Sequence, residues 1–434
     1  MRLQSSLGLV PALMSLVAVG LAWVLLYSGL FDVNQGDVWW LYSGDPETAR
    51  NLLSAIMSGM ITMTSLVVSI TMVVLSLAAG QLGPRLIANF LSDRQIQAVL
   101  GLFMATILYT LFVLRSLSDD ADSASVPHLA VSLASLLAMI CLFALLFYVQ
   151  KIARSIIADT VVTHVANDLE QVIASAKTDD TPTDADDDAR EMARYDRREW
   201  VALGQAGHVQ VIDHDRLVAL AAREDMLLRL NFRAGKFLLC GGHHVEMFSH
   251  AVPSLGFTDE IKRAVVIGAE RTATQDLEYS VRQLVEIAVR ALSTGINDPF
   301  TALLVVDRLG ASLESVSQRP PPPERYRDGD GRVRLLARPP EFAGLLDASF
   351  NQIRQAAAGN AAVLIEMSRI ISHLAIVVDV PERRAALLAH QQKLDRSAHR
   401  TLADPADLAD FMDTAATAHK RLSDADDDKQ APAG

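Results

Sequence analysis

Long apolar runs organise the first third of the chain. Four stretches, approximately Leu7–Leu30, Leu52–Ala79, Ile96–Leu114 and Leu129–Val149, approach or exceed the ~18–20 residues a helix needs to cross a hydrocarbon layer about 30 Å thick. None has an Asp, Glu, Lys, Arg or His in its interior. A helix that is apolar all round can occur in a large soluble core, but four in succession point to a bilayer. Arg2 gives the first run a basic start, as in a signal peptide. The run is longer than a signal-peptide core and no small-residue cleavage site follows, so it reads as an uncleaved anchor.

The connecting loops set an orientation. Asp32, Asp37, Asp45 and Glu47 stand against Arg50 after the first run, and Asp119, Asp120 and Asp122 follow the third. Arg85 and Arg94 follow the second, and Lys151 and Arg154 follow the fourth. Lys and Arg are retained on the cytoplasmic side, so both termini should be cytoplasmic. Trp39 and Trp40, with Tyr42, suit the outer membrane interface, while Pro84 and Arg85 suit a helix stop and a cytoplasmic anchor.

The second run carries a polar stripe. Asn51, Ser54, Ser58, Thr62, Ser65, Ser69 and Ser76 recur at spacings of three, four or seven. At about 100° per residue they share one narrow face, with Thr64 and Thr71 opposite. Lipid offers hydroxyls no partner, so this face should meet protein or water. Helix packing through small hydroxylated residues is one reading. A water-filled pore built from several copies is another, and hydroxyls bonding back to their own helix backbone without further purpose is the third. The spans hold no ionisable group for a proton relay or voltage sensor.

Past Lys151 the pattern is polar and mixed. Thr178–Asp188 reads as a solvated acidic linker, and Gln318–Asp330, with Pro320–Pro323, as a spacer or surface excursion. His208–Asp213, Met226–Phe232, Gly235–Cys240 and His244–Ser249 read as short strands, and Asp213 as the cap of a short helix. Their strand–Gly–strand–GlyGly–strand ending resembles barrel-sandwich hybrid domains, including biotinyl carriers. Lys236 lies at a strand start instead of a hairpin tip, so a carrier role is set aside. From Thr258 the pattern turns helical, with helices over Arg271–Leu292, Pro299–Val316, Glu341–Ala358, Asn360–Val378, Glu382–Arg400 and Ala406–Arg421.

The expected fold is therefore a mainly α membrane protein. Four transmembrane helices (1–155) precede a helical connector with the acidic linker (156–200) and a small barrel-like β module (201–256). A cytoplasmic helical domain (257–421), with a Pro-rich excursion near 318–340, and a structureless acidic tail (422–434) follow. Composition agrees: 434 residues, 50% hydrophobic, divide into a lipid-like third and a charged remainder. With 39 Lys and Arg against 51 Asp and Glu, the net charge of −12 excludes a nucleic-acid binder, which needs a basic face. Two distant cysteines, Cys141 and Cys240, build neither a disulfide framework nor a metal knuckle.

Two motif blocks resemble a known family. They are Gln81-Leu82-Gly83-Pro84-Arg85-Leu86, with Asn89-Phe90 and Asp93-Arg94, and a second set from Arg271-Thr272 and Gln275-Asp276 through Arg282-Gln283-Leu284 to Ala291-Leu292-Ser293-Thr294-Gly295-Ile296-Asn297-Asp298-Pro299. Together they resemble the bacterial membrane proteins catalogued as domain of unknown function 2254, over a stretch from the first span to about Val380. Thr294 stands where the family pattern has proline, and Phe300 where threonine is commoner. The resemblance implies an inner-membrane protein with a cytoplasmic domain and implies no activity.

Within the second block, Gly295 is expected to end one helix in the left-handed region, Asp298 to cap the next and Pro299 to open it. Asn297 is then left over. With Arg271, Gln275, Asp276 and Arg282 on the preceding helix, it and Asp298 could form a polar site for an anionic ligand. His243, His244 and His250 do not have metal-ligand spacing, because adjacent strand residues point to opposite faces. There is no GxSxG, HExxH or Walker loop, so neither enzyme chemistry nor a cofactor is implied. Two functions remain: a homo-oligomeric pore or conduit with a regulatory cytoplasmic domain, or a non-transporting scaffold or sensor that binds a protein or an anion.

Overall fold

The computed structural model describes residues 8–27, 42, 44–82, 93–117, 127–155, 158–179 and 185–427. Trp39, Trp40, Pro84 and Arg85, expected at the membrane interface, lie outside them. The chain divides into two units, Met1–Thr160 and Val161–Gly434.

The first unit contains α1 (Leu9–Tyr27), α2 (Pro46–Leu82), α3 (Arg94–Ser116) and α4 (His128–Ser155). All four are long and apolar enough to cross a membrane. The most enclosed is α3. Its Phe103, Tyr109 and Val113 are fully buried, whereas α1, α2 and α4 leave Leu16, Val73, Phe143 and Leu146 exposed, as lipid-facing residues should be. Several polar groups inside the unit are paired among the described residues. Tyr109 donates to the Ala130 carbonyl at 3.1 Å, Thr71 meets the Tyr148 hydroxyl, and Arg50 donates to the Leu117 carbonyl at 3.1 Å. Asp93 caps α3 by accepting from Gln95 N–H and pairs with Lys151 at 2.7 Å, so the start of α3 and the end of α4 lie together.

The second unit begins with α5 (Ala158–Ser175) and α6 (Ala185–Met192), then β1 (Arg197–Val201), β2 (Gly207–Ile212), α7 (His214–Arg223), β3 (Leu227–Leu230), β4 (Phe237–Leu238), β5 (Val245–Ser249), α8 (Phe257–Arg263) and β6 (Val265–Gly268). Next come α9 (Leu277–Ala291), α10 (Pro299–Ser317), β7 (Arg325–Arg327), β8 (Val333–Leu336), α11 (Phe342–Ala356), α12 (Ala361–Val377), α13 (Pro381–Thr401) and α14 (Pro405–Asp427). Five strands form one sheet in the order β1-β5-β3-β8-β7, and β4-β2-β6 form another. The two share one core that includes Val209, Leu217, Leu228, Val245, Phe257 and Leu335.

Several expectations are corrected here. The strand-rich region does not stop at 256: it begins at Arg197, includes Val265–Gly268 and recruits β7 and β8 from the proline-rich segment. That segment is no spacer, because β8 runs parallel to β3, with Leu228 opposite Leu335. Burial of Val333, Leu335 and Leu336 holds it there. Part of the acidic linker is helical, and Asp187 and Asp188 pair with the Arg325 guanidinium at 3.4 and 2.7 Å. The terminal helix continues past Ser423 to Asp427.

Charged groups buried by this packing are matched. Glu246, fully buried on β5, is held by Arg198 and Arg229. Arg334 reaches Asp328 at 2.6 Å and Asp225 at 2.8 Å, tying the β7–β8 turn to the start of β3. Arg384 donates to the carbonyls of Ala375, Val378, Arg421 and Leu422 at 2.7–3.2 Å, so one guanidinium serves the end of α12 and the last turns of α14. Arg384→Ala should therefore lower stability by about 2–4 kcal/mol, since it strands buried acceptors, and thermal unfolding in detergent measures this.

Asp347 on α11 supplies a pH dependence. Burial opposes its charge, but bonds from Lys393 at 2.9 Å, His390 at 2.8 Å and Asn351 at 2.7 Å outweigh that and hold the carboxyl at about 2. A depressed folded value stabilises the native state above the unfolded value near 3.8 and is lost as pH falls towards 2. Half of the side chain is exposed, so screening limits the effect to about 1 kcal/mol. Asp347→Asn should flatten the loss of thermal stability between pH 4 and pH 2.

Candidate functional site

In the first unit the polar stripe of α2 faces away from its own helices. Leu53, Met60, Val67, Thr71 and Val74 form the buried seam of α2. Counting about 100° per residue, the stripe centres on the opposite side of the helix. Asn51, Ser58, Thr62, Ser65, Ser69 and Ser76 are exposed, and Ser54 is half-buried. Thr62 donates back to the Ser58 carbonyl at 2.9 Å. Packing inside the same four helices is therefore not what covers the stripe.

In the second unit the residues expected to form one polar site are divided. Helix α9 starts at Leu277, so Arg271 and Gln275 lie in the segment before it. Asp276 is its N-cap, accepting from Tyr279 N–H, and its buried carboxylate meets Arg271 at 2.7 Å. Burial pushes the Asp276 carboxyl up, and the Arg271 charge and hydrogen bond only partly restore it. Arg233 and Arg282 both bond Glu278, at 3.0 and 2.6 Å. Gly235, at φ +82°, fits against the Asp276 carboxylate, where a Cβ would lie 2.0 Å from Oδ2. Gln275 braces β2 by accepting from Ile212 N–H at 2.9 Å and donating to Ile212 O at 3.1 Å.

Asn297 and Asp298 sit beyond the other end of α9, about 20 Å along the helix. Asn297 itself takes the left-handed conformation, φ 50°, that was expected of Gly295. Its N–H bonds the Ser293 carbonyl at 2.9 Å. Asp298 caps α10 by accepting from Thr301 N–H and the Thr301 hydroxyl. The turn motif is thereby used in joining α9 to α10, and Asn297 serves it through its backbone. The three histidines are likewise separate: His243 is edge-on to Trp200, His244 accepts from Leu203 N–H at 3.0 Å and His250 lies 3.0 Å from Asp196.

A cleft of about 540 Å³ opens beside Gln275. Its lining comes from the end of α5, from Val211–Asp215, from Phe232 and Arg233, and from Tyr326 and Arg338. Pro322, Pro323, Pro339 and Pro340 flank it. His214 and Tyr326 stack within 2° of parallel at 4.7 Å. Burial lowers the His214 imidazole, helped by Lys177, and burial raises the Tyr326 phenol to about 12, so both rings are neutral near pH 7. Lys177 and Asp215 pair at 2.9 Å on the rim. Sequence reading missed this cleft, since the prolines and Tyr326 come together with His214 only through the β3–β8 pairing. The proline run was the available signal.

Residues 4–373 match a family described as predicted membrane protein, domain of unknown function 2254. The chain belongs to that family. Uncharacterized proteins of Mycobacterium bovis and Mycobacterium tuberculosis are each 30% identical to it over 391 residues, which is 87% of this chain and 73% of theirs. No solved structure matches the chain. The family-like block from Arg271 to Pro299 thus coincides with two capped helix starts and the turn between them.

Loss of the Asp276 cap together with its ion pair should be costly. Asp276→Ala is expected to remove about 2–4 kcal/mol. Asp276→Asn, which keeps a capping oxygen, should cost less. Thermal unfolding in detergent, followed by circular dichroism, separates the two.

Proposed function

We propose that this membrane protein is a homo-oligomer whose second spans meet along the α2 stripe and enclose a conduit for small ions or solutes. The outward face of α2 carries the reading. Six exposed polar side chains along one span would otherwise contact hydrocarbon, which provides no hydrogen-bond partners. Closed rotational symmetry, the common form of homo-oligomers, brings equivalent stripes around one axis. A stripe of neutral hydroxyls and one amide suits passage of hydrated species and supplies no proton relay.

Arg94, Lys151 and Arg154 near the α3 start and α4 end, against the acidic loops opposite, support an inner-membrane placement with both termini in the cytoplasm. The second unit would then act from the cytoplasmic side. A non-transporting sensor is the second reading, favoured by the cleft in that unit.

Cross-linking and flux test the proposal together. In a Cys240→Ser background, Ser65→Cys should form covalent dimers in membranes, whereas Val67→Cys, on the buried seam, should not. Liposomes holding the protein should pass small ions, and Ser65→Asp or Ser69→Asp should change that flux. Cross-linking without any flux would leave an assembled scaffold and retire the conduit.

A further inference from the structure

We infer that the cleft beside Gln275 binds a small planar monoanion, an aromatic carboxylate in kind, with Arg338 holding the negative group. The inference is independent of whether the membrane unit conducts. A volume of about 540 Å³ falls in the range of small-molecule sites. Such sites combine apolar walls with a few placed polar groups, and this cleft has both.

The apolar walls are flat. Four proline rings and Phe232 border the space, and the His214–Tyr326 stack adds a rigid aromatic edge. Polar groups are available there. Among the described residues, neither the His214 nitrogens nor the Tyr326 hydroxyl is engaged in a hydrogen bond, and Arg338 is exposed with no carboxylate against it. The other cations are committed, Lys177 to Asp215 and Arg233 to Glu278.

Charge selects the ligand. Lys177 is neutralised by Asp215 and Arg233 by Glu278, and Asp213 is taken up in capping α7, so among the described lining residues Arg338 is the one cation left for a ligand. That balance suits one negative group and disfavours a polyanion. The helix start at α7 is not the anion site, because the Asp213 carboxylate already accepts from Arg216 N–H. A guanidinium on an open rim meets a carboxylate through two parallel bonds, while the flat body lies against the prolines.

Calorimetric titration of the full-length protein in detergent at pH 7, with benzoate as the probe, tests this. Saturable binding at one site is expected. Arg338→Ala should weaken it about tenfold or more, with Arg338→Lys retaining part of the affinity. Among the described residues the Arg338 guanidinium has no hydrogen bond or ion pair, so an unchanged melting temperature should accompany the loss. Benzamide, equally flat but neutral, should bind at least as weakly as benzoate binds the Ala variant. Absence of saturable benzoate binding, equal affinity for benzamide, or unchanged binding in Arg338→Ala would overturn the assignment. Inorganic phosphate competing as well as benzoate would overturn the planar-body requirement.

Discussion

Hydrocarbon does not hydrogen-bond, and the first unit is arranged around that constraint. Each apolar segment must satisfy its own backbone as a helix, and polar side chains within it need partners from protein or water. Tyr109, Thr71, Tyr148 and Arg50 find them inside the four helices. The stripe from Asn51 to Ser76 does not turn inward, because Leu53, Met60, Val67 and Val74 on the opposite face supply the apolar seam against α3 and α4. A single copy thus pairs Thr71 on the inner face of α2 and leaves most of the outward stripe exposed, the Thr62 hydroxyl bonding back to the Ser58 carbonyl. This asymmetry makes assembly the natural reading.

The second unit obeys the complementary rule, that charge buried by packing must be matched. Arg384, Arg334 and the Arg198–Glu246–Arg229 cluster each serve several acceptors or opposite charges across elements distant in sequence. The same logic converts the block around Arg271 from a suspected ligand site into architecture. Arg271, Asp276, Glu278 and Arg233 neutralise one another at the start of α9, while Gln275 holds β2. Arg338 differs because it lies on the cleft rim without such a commitment among the described residues.

Local patterns were legible where local physics decides. The four spans, the caps at Asp213, Asn360 and Asp298, and most helix limits depend on apolar length, capping oxygens or Pro at N1. Asp276 illustrates the limit of such reading. Its residue type suits a cap, yet the helical pattern continues upstream to Arg271, and burial of the Asp276 carboxylate beside Gly235 decides where the helix begins. Asn297 shows the reverse case. Gly295 is the usual left-handed residue, but the bonds from Asn297 to Ser293 and from Asp298 to Ala291 put the turn two residues later.

By itself, the sequence determined that this protein has four helices able to enter a membrane, that one carries a polar face, and that a mixed helical and strand region follows. Each of these depends on periodicity and side-chain chemistry over a few turns. Only the tertiary structure decided that the polar face points outward, that a proline-rich segment completes a sheet, and that His214, Tyr326 and Arg338 border one cleft. Those outcomes depend on which surfaces pack together. The parallel β3–β8 pairing joins segments more than a hundred residues apart, and no local pattern encodes its register.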